Sequence, residues 1–213
     1  MSRFEIVQKI IDDGAVAVIR MSDSQKLLRV AEALLEGGIS ALEITMTTPN
    51  ALKVIEEASL ELPGEVLIGV GSVLDSETAR LAINAGAKYV VSPIFKTEIV
   101  QTAHRYNLPV MPGCFTPTEI LTAHEAGADI VKVFPADVVG MPFFKAIKAP
   151  MPHLNLMPTG GVSLTNAGDW LKAGACAVGV GGALLDKQAI ADGNFAKLTE
   201  NARILRQSIQ SVR

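Results

Sequence analysis

The apolar positions of this chain fall into short unbroken runs, separated by longer stretches in which apolar residues recur every three or four positions. Short runs that are apolar on both faces mark strands buried in a parallel sheet. The stretches between them read as amphipathic helices. Four units carry one signature, a helix end, a glycine, a short spacer and an apolar run: LLEGGISALEI (34–44), AINAGAKYVVS (82–92), AHEAGADIVKV (123–133) and LKAGACAVGV (171–180). In each, the glycine is placed to end the helix in the left-handed conformation that other residues avoid.

With the gaps filled, eight strands are predicted, at 15–20, 41–45, 66–72, 88–93, 109–114, 129–135, 154–159 and 177–182. Their starts lie about 20–26 residues apart, room for a strand, a helix and two short loops. The helix after the first strand has Ser22 or Ser24 as its cap. SETARLAINAG opens at Asp75 or Ser76, and TPTEILTAHEAG places Thr116, Pro117 and Glu119 at the cap, first and third helical positions. An extra helix over 3–13 precedes the first strand, and a C-terminal helix over 194–210 follows the last. Eight β-α units in 213 residues predict a single (β/α)8 TIM barrel over 1–213 with an extra N-terminal helix. A doubly wound open sheet is the second choice. It would show GxGxxG after its first strand, where this chain runs VIRMSDS.

Composition narrows the function. Nineteen Lys and Arg against 22 Asp and Glu leave a net charge of −3, which argues against a nucleic-acid partner. Hydrophobic residues make up 49%, and mean hydropathy is +0.33, far from a disordered chain. No run approaches ~18 uncharged apolar residues, so no membrane partner is expected. MSRFEIVQKIIDDG lacks the apolar core of a signal peptide, and two cysteines, Cys114 and Cys176, make no disulfide scaffold. A cytoplasmic setting is expected. Three scattered histidines, at 104, 124 and 153, give no reason to expect a metal site.

Candidate chemistry then comes from residues that do not belong inside a parallel sheet. Two charges interrupt apolar strands, Glu43 in ALEIT and Lys132 in DIVKVF. Both stand five residues after their unit's glycine, Gly38 and Gly127; the equivalent positions in the other two units are Val91 and Gly179. In such a barrel alternate strands supply one layer of interior side chains. Glu43, Val91, Lys132 and Gly179 are therefore expected in one layer, with the carboxylate facing the amine. Two readings are open, a buried structural ion pair and a reactive pair. Burial disfavours the charged form of an amine, and a free amine forms Schiff bases with carbonyls while a carboxylate moves protons.

A second group is glycine-rich. MPTGGVS (157–163) follows the seventh strand and AVGVGGALL (177–185) ends the eighth. Loops at these two places of a barrel frequently hold phosphate through backbone N–H groups and a helix N-terminus, here with the Thr159 hydroxyl added. The alternative is that the glycines only permit tight turns. Other strand-end residues are Arg20, able to clamp a carboxylate or to lie on the surface, Ser72, Pro93, Pro112 and Phe134. Ser72 is placed to bond the same carboxylate and Phe134 to wall the site. Thr47 follows the second strand and either joins the site or caps the next helix. Cys114 reads as a packed thiol, His104 and His124 as solvent-facing helix residues, and Trp170 as core.

In order and spacing, the motifs AVIR (17–20), EIT (43–45), GVGSV (69–73), VSP (91–93), MPGCFTPTE (111–119), VKVFPA (131–136), MPTGGV (157–162) and VGVGGALL (178–185) resemble the class I 2-keto-3-deoxy-6-phosphogluconate (KDPG) and 4-hydroxy-2-oxoglutarate (KHG) aldolases over essentially the whole chain. The resemblance implies a trimeric (β/α)8 barrel, a lyase that needs no metal or cofactor, and a small 2-keto acid substrate. It implies that Lys132 is the Schiff-base lysine and Glu43 the general acid/base. Ser72 falls where the family usually has Thr beside the pyruvate carboxylate. Thr159, Gly160 and Gly161, joined by Gly181 and Gly182, look like the phosphate loops. Two positions depart from some members. Thr47 stands where those members carry an Arg that holds the carboxylate, and Arg20 fits the branch that uses the end of the first strand instead. Gly182 stands where some members have Ser. Two rival functions keep the same residues: a phosphate-binding barrel isomerase or epimerase without a covalent intermediate, and a non-catalytic barrel that binds a phosphorylated metabolite.

Overall fold

The computed structural model describes residues 1–213. Helix α1 (Arg3–Asp13) leads into β1 (Ala15–Ile19), then α2 (Ser24–Glu36), β2 (Ala41–Thr45), α3 (Ala51–Glu61), β3 (Leu67–Gly71), α4 (Ser76–Asn84), β4 (Val90–Val91), α5 (Thr97–Arg105) and β5 (Val110–Met111). The second half holds β6 (Gly113–Cys114), α6 (Pro117–Glu125), β7 (Val131–Val133), α7 (Ala136–Lys148), β8 (Leu156–Pro158), α8 (Ala167–Lys172), β9 (Val178–Val180), α9 (Lys187–Ala191) and α10 (Phe195–Gln210). Each predicted strand coincides with one or two of these strands. The short α9 was not predicted; it occupies five residues of the loop after β9.

Local signals account for the helix ends. Asp23 caps α2 by accepting from the Lys26 N–H, displacing the predicted Ser22 or Ser24, and Asp75 caps α4. Thr116 and Glu119 form a reciprocal capping box with Pro117 at the first helical turn of α6. The repeat glycines Gly38, Gly86, Gly127 and Gly174 all take positive φ, from 89° to 110°, as the four-unit signature requires. Helix α7 is broken at Gly140 (φ 70°, ψ 177°), two residues before Pro142.

All strand pairing is parallel. A six-stranded sheet in the order β5-β4-β3-β2-β1-β9 forms a half-barrel, and a three-stranded sheet runs β6-β7-β8. The predicted fifth strand is divided at Pro112, which has no N–H to give to a ladder. Its carbonyl still accepts from the Lys132 N–H at 2.9 Å. On the other side, single bridges Leu156↔Ala175 and Thr159↔Gly179 run from the β8 region to the β9 region.

The sheets separate two cores. The outer one, 51 residues, lies between the strands and the helices. The inner one joins Val16, Ala41, Leu67, Tyr89, Val91, Met111, Ile130, Met157 and Ala177 with Ile6 and Ile10 of α1. The extra N-terminal helix thus closes one end of the interior with two fully buried isoleucines. No helix is long and apolar enough to cross a membrane.

Candidate active site

Side chains alternate faces along a strand, so two residues beyond each member of the inner core the chain again faces the interior. On β1, β2, β3 and β7 those positions are Val18, Glu43, Gly69 and Lys132; on β6, after β8 and on β9 they are Gly113, Thr159 and Gly179. Glu43 (1% exposed) and Lys132 (6%) are the only charged residues buried in the chain. Lys132 Nζ lies 3.9 Å from Glu43 Oε1 and 5.2 Å from the centroid of the Phe134 ring. Two charges are buried within reach of each other, as the glycine spacing predicts.

Glycines make the room. A Cβ at Gly71 would collide with the Glu43 carboxyl, and one at Gly179 with the Thr159 hydroxyl. A Cβ at Gly113 would collide with the backbone of Pro93, so the half-buried Pro93 packs on the strand that pairs with Lys132. Val91, two residues beyond Tyr89, holds the equivalent position on β4 and packs with the inner apolar core. Gly179 meets the expectation of leaving space, and its neighbour across the bridge is Thr159.

The glycine-rich loops converge. A pocket of about 240 Å³ is lined by Arg20, Phe134, Thr159, Gly160, Gly161, Gly181 and Gly182, together with Val18, Val162 and Gly179. Gly160 and Gly161 have φ of 103° and 71°, and the start of α7 lies against them, leaving no room for side chains. Arg20 is exposed and sits among these loops. The helix expected to begin near Thr165 begins at Ala167 and has six residues. Its cap residue Asn166 donates to the Gly161 carbonyl at 3.0 Å, which ties the start of this short helix to the loop.

The remaining sequence candidates separate. Ser72 ends β3 half-buried with φ 59°, a conformation that costs a non-glycine residue energy and is concentrated at functional sites. Thr47 is exposed, and its hydroxyl lies 2.8 Å from that of Thr45. It does not cap α3, whose cap residue is Asn50. Cys114 is buried and its thiol is pushed up to about 12 by burial and the charge of Glu119, which makes it an unreactive packed side chain. His104 does not simply face solvent: it is half-buried with Nε2 3.5 Å from Asp129, and burial holds it below the usual histidine range. His124 is also half-buried, its ring 5.1 Å from that of His153. Trp170 is core, edge-on to Phe144. No group of three or more His, Cys, Asp or Glu side chains is gathered as metal ligands would be.

Two interior residues escaped the sequence reading. Thr45, fully buried two positions beyond Glu43, ties its hydroxyl to Thr47 and Thr48. Tyr89, fully buried, lies in the inner core on the Glu43 side, against Gly69. The signal for both was strand parity, counted back from Val91 or forward from Glu43. An amine, a carboxylate, an aromatic wall and a glycine-lined pocket can together activate a carbonyl, move protons and hold an anionic tail.

Comparison with known proteins places this geometry. The family model for KDPG and KHG aldolase matches residues 6–201. The 2-dehydro-3-deoxy-phosphogluconate aldolase of Pseudomonas aeruginosa is 38% identical over 188 residues, 87% of this chain and 84% of that protein. The 2-dehydro-3-deoxy-6-phosphogalactonate aldolase of Escherichia coli is 32% identical over 167 residues, 78% of this chain and 82% of the other. Among solved structures, the KDPG aldolase of Legionella pneumophila, with pyruvate captured as a covalent carbinolamine intermediate, superimposes with a TM-score of 0.86 at 29% identity, covering 93% of this chain and 97% of that one.

Proposed function

The chain belongs to the KDPG and KHG aldolase family, and from that premise we propose that Lys132 and Glu43 carry out a class I retro-aldol cleavage. The amine of Lys132 adds to the C2 carbonyl of a 2-keto-4-hydroxy acid. Glu43 passes protons while the carbinolamine loses water to give an iminium ion. Glu43 then takes the proton of the C4 hydroxyl, the C3–C4 bond breaks, and its electron pair flows to the iminium nitrogen. An aldehyde leaves, and an enamine of pyruvate remains on Lys132. Protonation at C3 and addition of water release pyruvate and restore the amine. The observation that carries this reading is the buried pair, Nζ 3.9 Å from Oε1, with no other charge buried in the protein.

Family membership points to KDPG as substrate, yielding pyruvate and glyceraldehyde 3-phosphate; 4-hydroxy-2-oxoglutarate would yield pyruvate and glyoxylate. The relatives named for phosphogluconate and for phosphogalactonate substrates make the C4 epimer a third candidate. We assign the phosphate to Thr159, Gly160, Gly161, Gly181 and Gly182, whose loops line one pocket. We assign Arg20, Thr47, Ser72, Pro93 and Phe134 to the pyruvate carboxylate and wall; Arg20 and Phe134 also line the pocket of the loops. We infer further that the two sheets close into one eight-stranded barrel. Its seams would be the Thr159↔Gly179 bridge and the chain's continuity through Pro112. By family resemblance the active form is a homotrimer in the cytoplasm.

Incubation with pyruvate and reduction with borohydride tests the reaction. The expected product is a stable adduct on Lys132. An active enzyme that gives no adduct, or one on another residue, would refute the covalent mechanism and favour a non-covalent isomerase. A ranking of kcat/KM over KDPG, its C4 epimer and 4-hydroxy-2-oxoglutarate tests the assignment of the loops, which predicts preference for the phosphorylated pair.

A further inference from the structure

Five buried side-chain polar atoms have no hydrogen-bond partner, and three of them belong to interior-facing residues: Glu43 Oε2, Tyr89 Oη and Thr159 Oγ1. The first two belong to residues packed against one strand, β3. Gly69 is the register partner of Glu43, and a Cβ at Gly69 would collide with the Tyr89 ring. Two residues on, Gly71 leaves the space taken by the Glu43 carboxyl. Strand β3 thus omits two side chains, one to admit the phenol and one to admit the carboxyl. Lys132 Nζ faces Oε1 at 3.9 Å, and Oε2 is buried without a donor. A buried polar atom left unpaired is costly, and each of these two can supply what the other lacks. The interior around them is apolar, from Ile6 and Ile10 below to Val16, Met111 and Met157 around the ring. The charged groups buried there are Glu43 on β2 and Lys132 on β7. Burial, and then the Glu43 charge, push the Tyr89 phenol well above the ordinary tyrosine range, so it stays a donor at any working pH.

We propose that Tyr89 is a positioning residue for Glu43: its hydroxyl donates to Oε2, directly or across one bridging water, and so keeps Oε1 turned to Lys132. This rests on Glu43 being the proton shuttle. The phenol touches no substrate atom; it acts by fixing the carboxyl's orientation and favouring its charged form.

Tyr89→Phe keeps the ring against Gly69 and removes only the hydroxyl. The expected result is a five- to fiftyfold lower kcat for KDPG cleavage with KM within twofold. The acid limb of the kcat–pH profile should move to higher pH, because the carboxylate has lost a donor. In a Glu43→Gln background the same change should alter the rate of pyruvate trapping by less than twofold. An unchanged kcat and pH profile, or an equal loss in both backgrounds, overturns the proposal. A wild-type enzyme that forms no adduct overturns the Glu43 reading itself, whereas a trapping wild type with an indifferent Tyr89→Phe overturns only the role of Tyr89. A second measurement leaves the hydroxyl in place. The chain has two tyrosines, so Tyr106→Phe protein grown with 3-fluorotyrosine carries a single fluorine reporter at position 89. Its resonance should move on Glu43→Gln; a fixed resonance contradicts the coupling.

Discussion

Along the same strands, two residues separate a filled interior from a hollowed one. At the α1 end Ile6, Ile10, Val16, Ala41, Leu67, Met111, Met157 and Ala177 pack without a charge. At the other end Gly69, Gly71, Gly113 and Gly179 withhold side chains, and the space goes to the Tyr89 ring, the Glu43 carboxyl, the Pro93 backbone and Thr159. Apolar burial at roughly 25 cal/mol per Å² stabilises the first end. The second gives up that contribution and buries an ion pair whose desolvation offsets its attraction. Within one fold, stability and chemistry are assigned to opposite ends of the interior.

The largest test of this division is Lys132→Met. The variant should lose about 10⁴-fold or more in kcat/KM and form no borohydride adduct. It should also lose about 3–5 kcal/mol in urea unfolding, because the Glu43 charge is left alone. A variant as stable as wild type would show that the pair is not electrostatically coupled. At the filled end, Ile10→Ala should cost about 2–5 kcal/mol and leave kcat within about twofold; a matching loss of kcat would erase the distinction between the ends. Gly71→Ala places a methyl where the Glu43 carboxyl lies and should lower kcat about 10²-fold by displacing it, with the adduct still forming in a long incubation. The smallest effect is a gain. A Cβ at Gly182 meets nothing within 4 Å, so Gly182→Ser adds a hydroxyl to the loop without strain. One added hydrogen bond, about 0.5–1.5 kcal/mol, should lower KM for KDPG about two- to tenfold and leave that for 4-hydroxy-2-oxoglutarate unchanged.

Much of this is legible in the amino-acid sequence. Strand positions follow from apolar runs, and the repeat glycines fix where each helix ends because only glycine takes their positive φ without cost. The Gly+5 count placed Glu43 and Lys132 together because parallel units of similar length put equivalent residues at equivalent heights. The same count supplies Val91 as the apolar member, packed with the inner core. Arg20 was read as a carboxylate clamp or a surface residue, and the fold sets it beside the glycine loops. His104 was assigned to solvent from its helix position, but Asp129, which begins the next repeat's apolar run, reaches back to it.

Sequence alone determined the parallel α/β class, the order of the strands, the helix ends at the repeat glycines and the two charges that have no place inside a sheet. All of these depend on neighbours within a few residues, through hydrogen-bond periodicity, capping and the conformational limits of glycine and proline. Tertiary structure alone decided which side chains fill the spaces the glycines leave. The Tyr89 ring and the Glu43 carboxyl occupy the spaces that the neighbouring strand leaves at Gly69 and Gly71. Such a contact depends on the volumes left between strands, and no local pattern records them.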